Sequence, residues 1–227
     1  MGKMIELTAS DGHKLAAYRA DPKGANEAKP RGAIVVIQEI FGVNSHIKAV
    51  ADGYAADGYV AIAPAMFDRV QRGYDTGYSP AEIEAGRAIM QKIDWGKALL
   101  DVDAAVAEAK KAGKVGIVGY CWGGTVAWRA ASKTAGLAAS APYYGGGMPN
   151  FIGEKPKVPV MANFGENDQS PTLEQAKAIA KAHPEITAHY YPGAGHGFNC
   201  DHRGSYNAAA AKLARERTLE FFRKHVG

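Results

Sequence analysis

The chain has 227 residues, 47% hydrophobic and 22% charged, with a formal net charge of +4 from 27 Lys and Arg against 23 Asp and Glu. These proportions exclude a disordered or collagen-like chain, and the length suits one α/β domain over residues 1–227 with a large core. The basic residues are scattered, which sets nucleic acid aside as a partner. No stretch reaches transmembrane length, and Met1–Leu7 lacks the apolar core of a signal peptide, so no membrane association is expected. Cys121 and Cys200, the two cysteines, do not make a disulfide framework. A cytoplasmic monomer is the simplest expectation.

In chain order, Ile5–Ala9 and Leu15–Arg19 alternate apolar and polar residues around Ser10-Asp11-Gly12-His13, a hairpin pattern. Residues 21–31, rich in Pro, Gly, Ala and Lys, read as a loop. Ala33–Ile37 is a continuous β-branched run of the kind buried on both faces of a parallel sheet. A helix is expected over Ser45–Ala56 and a buried strand over Tyr59–Ala63. Phe67–Pro80 has no clear period and reads as a loop, a candidate rim over a site. Helical patterns cover Ala81–Lys92 and Lys97–Lys111. Val115–Val118 is a strand and Gly123–Lys133 a helix. Strands follow at Leu137–Pro142 and Val158–Phe164, then a helix at Pro171–Ala182, a strand at Ile186–Tyr191 and a closing helix over Ser205–Val226. This alternation predicts a mostly parallel, doubly wound sheet with helices on both faces and an N-terminal antiparallel hairpin at its edge; the strand–turn–helix around Cys121 makes it resemble an α/β-hydrolase fold. Ligands bind such sheets at the carboxyl ends of the strands.

Gly119-Tyr120-Cys121-Trp122-Gly123 joins a strand to a helix with cysteine at the tip. With serine in the middle, the same layout is a nucleophile elbow. Its glycines remove side chains that would collide with strand and helix. The amides of the new helix favour a thiolate and can hold an oxyanion. A small buried hydrophobe is the plainer reading of such a cysteine. A nucleophile needs a base and an orienting acid. Asp168, just past one later strand, and His196, flanked by glycines past the last, occur in the order nucleophile, acid, histidine. Glu166 competes for the role of the acid, and Asp168 could instead cap the helix that follows. The early strand runs into Gln38-Glu39-Ile40-Phe41, where the Ile40 amide, with that of Trp122, is the candidate oxyanion pair. Glu39 has apolar neighbours, which implies a partly buried carboxylate able to exchange a proton near the thiol.

Gln38-Glu39-Ile40-Phe41-Gly42-Val43-Asn44, Gly119-Tyr120-Cys121-Trp122-Gly123-Gly124, Gly165-Glu166-Asn167-Asp168 and Gly195-His196-Gly197-Phe198 together resemble the dienelactone hydrolase family. The resemblance implies a Cys121–His196–Asp168 triad. It also implies a resting thiol held protonated by contact with Glu39, and ester or lactone cleavage through an acyl-cysteine, with no metal and no organic cofactor. The family's arginine four residues after the histidine is replaced here by Cys200. Arg203 stands three residues off that register, and Arg69 and Arg72 lie upstream of the other arginine's place. This departure argues against dienelactone itself as the natural substrate. Phe41, Tyr78, Tyr144, Phe198, Arg69 and Arg203 are the candidate pocket residues. The competing readings are a non-catalytic small-molecule-binding module and an acyl hydrolase acting on thioesters or peptides.

Overall fold

The computed structural model of the protein describes residues 2–23 and 29–227; residues 24–28 of the expected loop lie outside these. The strands are β1 (Lys3–Thr8), β2 (Lys14–Ala20), β3 (Ala33–Ile37), β4 (Val60–Pro64), β5 (Val115–Tyr120), β6 (Leu137–Tyr143), β7 (Met161–Gly165) and β8 (Thr187–Tyr191). The helices are α1 (Ser45–Ala56), α2 (Pro80–Met90), α3 (Trp95–Ala109), α4 (Trp122–Lys133), α5 (Leu173–Ala182) and α6 (Ala208–His225). Among the described residues, these eight strands join one sheet in the order β1-β2-β4-β3-β5-β6-β7-β8. The N-terminal hairpin pairs antiparallel and β2 joins β4 antiparallel, while the rest of the sheet is parallel.

The unbroken apolar runs become the central strands because both of their faces are covered. Every residue of β3, β4 and β5 is buried. Successive side chains of β3 alternate between two cores. Val35 and Ile37 pack with Ala98 and Val102 of α3 and Val126 and Ala127 of α4. Ile34 and Val36 pack with Ile47 and Tyr54 of α1 and with Ala214 and Phe222 of α6. A third cluster seats α5 on β7 through Ala176, Ile179 and Phe164. The expected start of β7 at Val158 moves to Met161, since Pro159 has no N–H to give to a ladder and its carbonyl accepts from Ser140 instead.

The candidate rim at Phe67–Pro80 takes a different role. Met66–Arg69 is a 3-10 turn, and residues 74–76 brace the loop after β3. Thr76 N–H donates to Phe41 O, and Gly42 bridges Asp75. The edge of the cavity is formed by Ile83, Arg87 and Met90 of α2 and by Trp95 at the start of α3.

Candidate active site

At the carboxyl end of β5 the chain turns sharply into α4, and Cys121 takes φ 57° and ψ −119°. A non-glycine residue with positive φ is strained and persists only where its surroundings fix it. The flanking glycines permit the turn. A Cβ on Gly119 would stand 1.9 Å from Gly123 O, and one on Gly123 would stand 2.4 Å from Gln38 O. The other five α-helices of the described residues are each capped by a side chain, from Asn44, Ser79, Asp94, Thr172 and Asn207. Cys121, the N-cap of α4, makes no such bond. The first amides of α4 are therefore left to face whatever occupies the cavity.

His196 brings its ring to the sulfur from the loop after β8. Its Nε2 lies 3.0 Å from Cys121 Sγ, and its Nδ1 lies 3.0 Å from Asp168 Oδ2. Asp168, from the loop after β7, is 2% exposed. Its second oxygen, Oδ1, accepts from Ser170 N–H at 2.7 Å, which fixes the carboxylate plane. Asp168 thus has a partner other than a helix terminus: Thr172 caps α5. Glu166 does not line the cavity. Burial alone would lower the His196 pKa, but the charges of Cys121 and Asp168 on either side outweigh it and hold the ring protonated well above the usual histidine range.

The loop after β3 is pinned from several sides. Gln38 Nε2 donates to Glu39 O, and Gln38 Oε1 accepts from Met66 N–H. Ile40 lines the cavity beside Trp122. Glu39 is 1% exposed, more deeply buried than the sequence implies. Its Oε1 accepts from Arg203 Nη1 at 3.0 Å, while Oε2 has no partner among the described residues. The thiol contact expected from the family resemblance is therefore not made in this structure. A guanidinium claims the carboxylate, and the sulfur turns to His196 instead.

The cavity over Cys121 has a volume of about 530 Å³, within the range of small-molecule sites. Phe41 and Arg203 line it, as expected. Tyr78, Tyr144, Phe198 and Arg69 do not. Tyr78 packs on Phe41 at 4.5 Å and accepts from Asn44 Nδ2. Tyr144 and Phe198 are buried in the core, though the Tyr144 ring stands 5.3 Å from that of His196. Arg69 is held by Asp11 and the fully buried Asp101, at 2.8 and 2.7 Å. Two carboxylates fix it on the hairpin side of the molecule. Cys200 is a buried free thiol, pushed up to about 11 by burial first and by the Glu39 carboxylate next.

Sequence reading missed the apolar wall of Ile83, Met90 and Trp95 and the cationic Arg87. Its signal was the spacing of Ile83, Arg87 and Met90, which places all three on one helical face. Trp95 then stacks on Trp122 with ring centroids 5.8 Å apart.

Comparisons with known proteins give the chain a family. The dienelactone hydrolase family model matches residues 15–226. A Synechocystis protein provisionally named carboxymethylenebutenolidase is 36% identical over 94% of this chain and 93% of its own length. A Salmonella typhimurium protein with the same provisional name is 33% identical, over 98% and 87%. The crystal structure of a Klebsiella pneumoniae protein provisionally named dienelactone hydrolase superposes with a TM-score of 0.85 at 28% identity, covering 98% of this chain and all of that one. The chain belongs to the dienelactone hydrolase family, enzymes that hydrolyse lactone and ester bonds.

Proposed function

We propose that the protein cleaves small carboxylic esters or lactones through an acyl-cysteine formed on Cys121. The observation that carries this reading is the pair of 3.0 Å contacts joining Cys121 Sγ, His196 and Asp168. His196 is raised well above the usual histidine range by the charges beside it, so it favours an imidazolium paired with a thiolate. The thiolate attacks the carbonyl carbon. The developing oxyanion is received by the amides of Ile40 and Trp122. Collapse expels the alkoxide, which takes its proton from His196 Nε2; in a lactone this opens the ring. His196 then removes a proton from water, and the hydroxide cleaves the thioester. Asp168 keeps Nδ1–H directed at itself and steadies the cationic ring.

The apolar wall of Ile40, Phe41, Ile83, Met90, Trp95 and Trp122 favours an apolar or aromatic group beside the scissile bond. A substrate carboxylate would compete with Glu39 for Arg203. Replacing Cys121→Ala should lower turnover of a p-nitrophenyl ester by roughly a thousandfold or more. Unchanged turnover in a folded variant would remove Cys121 from the reaction.

A further inference from the structure

Beside the reacting groups, three ligand-type side chains from separate segments converge on one buried point. Glu39 comes from the loop after β3, His46 from the first turn of α1, and Cys200 from the loop that carries His196. All three are buried, and one donor atom of each lies within 4.8 Å of the other two. Two buried atoms of this trio, Glu39 Oε2 and His46 Nε2, have no hydrogen-bond partner among the described residues. His46 Nδ1 is already engaged, 3.1 Å from Asp201 Oδ1, which leaves Nε2 as the nitrogen available for another partner. Burying a carboxylate oxygen and an imidazole nitrogen without partners is unfavourable. Two such groups beside a thiol call for a ligand that accepts lone pairs from all of them.

We propose that Glu39, His46 and Cys200 form a zinc-binding site. A thiolate and a carboxylate carry two negative charges, which attract a divalent cation; with Arg203 still on Oε1, one positive charge remains, on the side where Asp201 meets His46. Sulfur and imidazole donors favour Zn²⁺ over Mg²⁺ or Ca²⁺, which take oxygen ligands. Donor atoms around a tetrahedral zinc at about 2.0–2.3 Å stand roughly 3.3–3.8 Å apart. The trio therefore needs to close by no more than about an ångström and a half from its 4.8 Å limit. On binding, the Cys200 S–H gives its proton to solvent and a Zn–S bond forms. His46 binds through neutral Nε2, with Nδ1–H donating to Asp201, the outer partner that orients a metal-ligating histidine. Arg203 keeps Oε1 while Oε2 meets the metal, and water completes the coordination. Asp201 and His202, both exposed, lie at the surface beside His46 and offer a way in from solvent. An occupied site would hold Glu39 in place and, through Oε1, the Arg203 guanidinium that lines the cavity. The binding itself does not rest on the reaction proposed above.

Tag-free Cys121→Ala protein provides the test, because it removes the sulfur of the other Cys–His–Asp grouping while keeping the trio. Equilibrium dialysis should find one Zn²⁺ per chain. Co²⁺ should give four-coordinate visible bands and a thiolate-to-cobalt band in the near ultraviolet. Adding Cys200→Ser should abolish the thiolate band and weaken zinc binding at least tenfold, and His46→Gln should weaken it comparably. Asp201→Asn, at an exposed position that leaves the core intact, should cost about 10- to 100-fold in affinity. Circular dichroism establishes that each variant is folded. Absence of stoichiometric binding in folded Cys121→Ala protein, or binding indifferent to both Cys200→Ser and His46→Gln, would overturn the proposal.

Discussion

At Cys121 a strained backbone and a short contact work together. The positive φ lifts the sulfur out of the strand direction, and His196 meets it at 3.0 Å. The charge of Cys121 is a main reason the buried ring keeps its proton, so removing that charge should release it. In the intact protein, NMR should find His196 still protonated well above its ordinary value of about 6.5. In Cys121→Ala, burial is opposed by Asp168 alone and the titration should move down. Equal titration in the two proteins would mean that the sulfur carries no charge toward the ring. The linkage has a definite sign. A raised folded-state pKa gives stability that is complete below about pH 6.5 and is lost as pH rises through the folded value. The candidate residues at this scale were legible in the sequence, because Cys121 sits between two glycines at the end of β5 and Asp168 and His196 each lie just past a later strand. The pairing of Arg203 with Glu39 was not: it joins segments far apart in the chain, and no local pattern encodes it.

The elements that position these residues depend on close backbone approach. Strand β5 and helix α4 pack against the loop after β3 where Gly123 passes within reach of Ile37 O and Gln38 O. Gly123→Ala would place a methyl group 2.6 Å and 2.4 Å from those two oxygens. It should lower stability by about 1–3 kcal/mol in a denaturant titration, and it should lower ester turnover as well, because the Ile40 amide moves with that loop. An unchanged midpoint would show that the packing is looser than these contacts imply. Strands and helices were legible from periodicity, with ends shifted by a few residues where a cap decides. Helix α5 begins at Leu173 because Thr172 caps it and Gln175 returns the bond, so Pro171 stays outside. The part played by α2 was not legible as a cavity wall: its amphipathic pattern says that one face is covered, not what covers it.

Across the whole molecule, the antiparallel hairpin is tied to the doubly wound sheet by charge as well as by strand pairing. Arg69 bridges Asp11 in the hairpin turn and Asp101 in α3, and Asp101 is fully buried. Burial raises the Asp101 pKa against the pull of Arg69. Arg69→Ala would leave that carboxylate without its partner and should cost about 3–5 kcal/mol at neutral pH. The loss should be smaller in acid, where Asp101 takes up a proton. Ester turnover per folded molecule should stay unchanged, since Arg69 is no part of the cavity wall. A fall in turnover with stability intact would return Arg69 to the substrate site. The mostly parallel, doubly wound sheet was legible in the alternation of strand and helix, and its edge hairpin in the pattern around Ser10–His13; the order of the strands was not, because no local pattern says which strands pair. Arg69 misled because an arginine near a predicted rim looks available, and its burial between two acids emerges only on folding.

The central claim is that bond cleavage passes through a thioester on residue 121. Mixing the protein with excess p-nitrophenyl ester, quenching in acid during turnover and mapping peptides by mass spectrometry tests it directly. The account predicts one added acyl mass on the peptide containing Cys121, lost on standing at neutral pH and missing in Cys121→Ala. Release of p-nitrophenol at the full rate from Cys121→Ala, or an acyl group carried on a different residue during turnover, would contradict it.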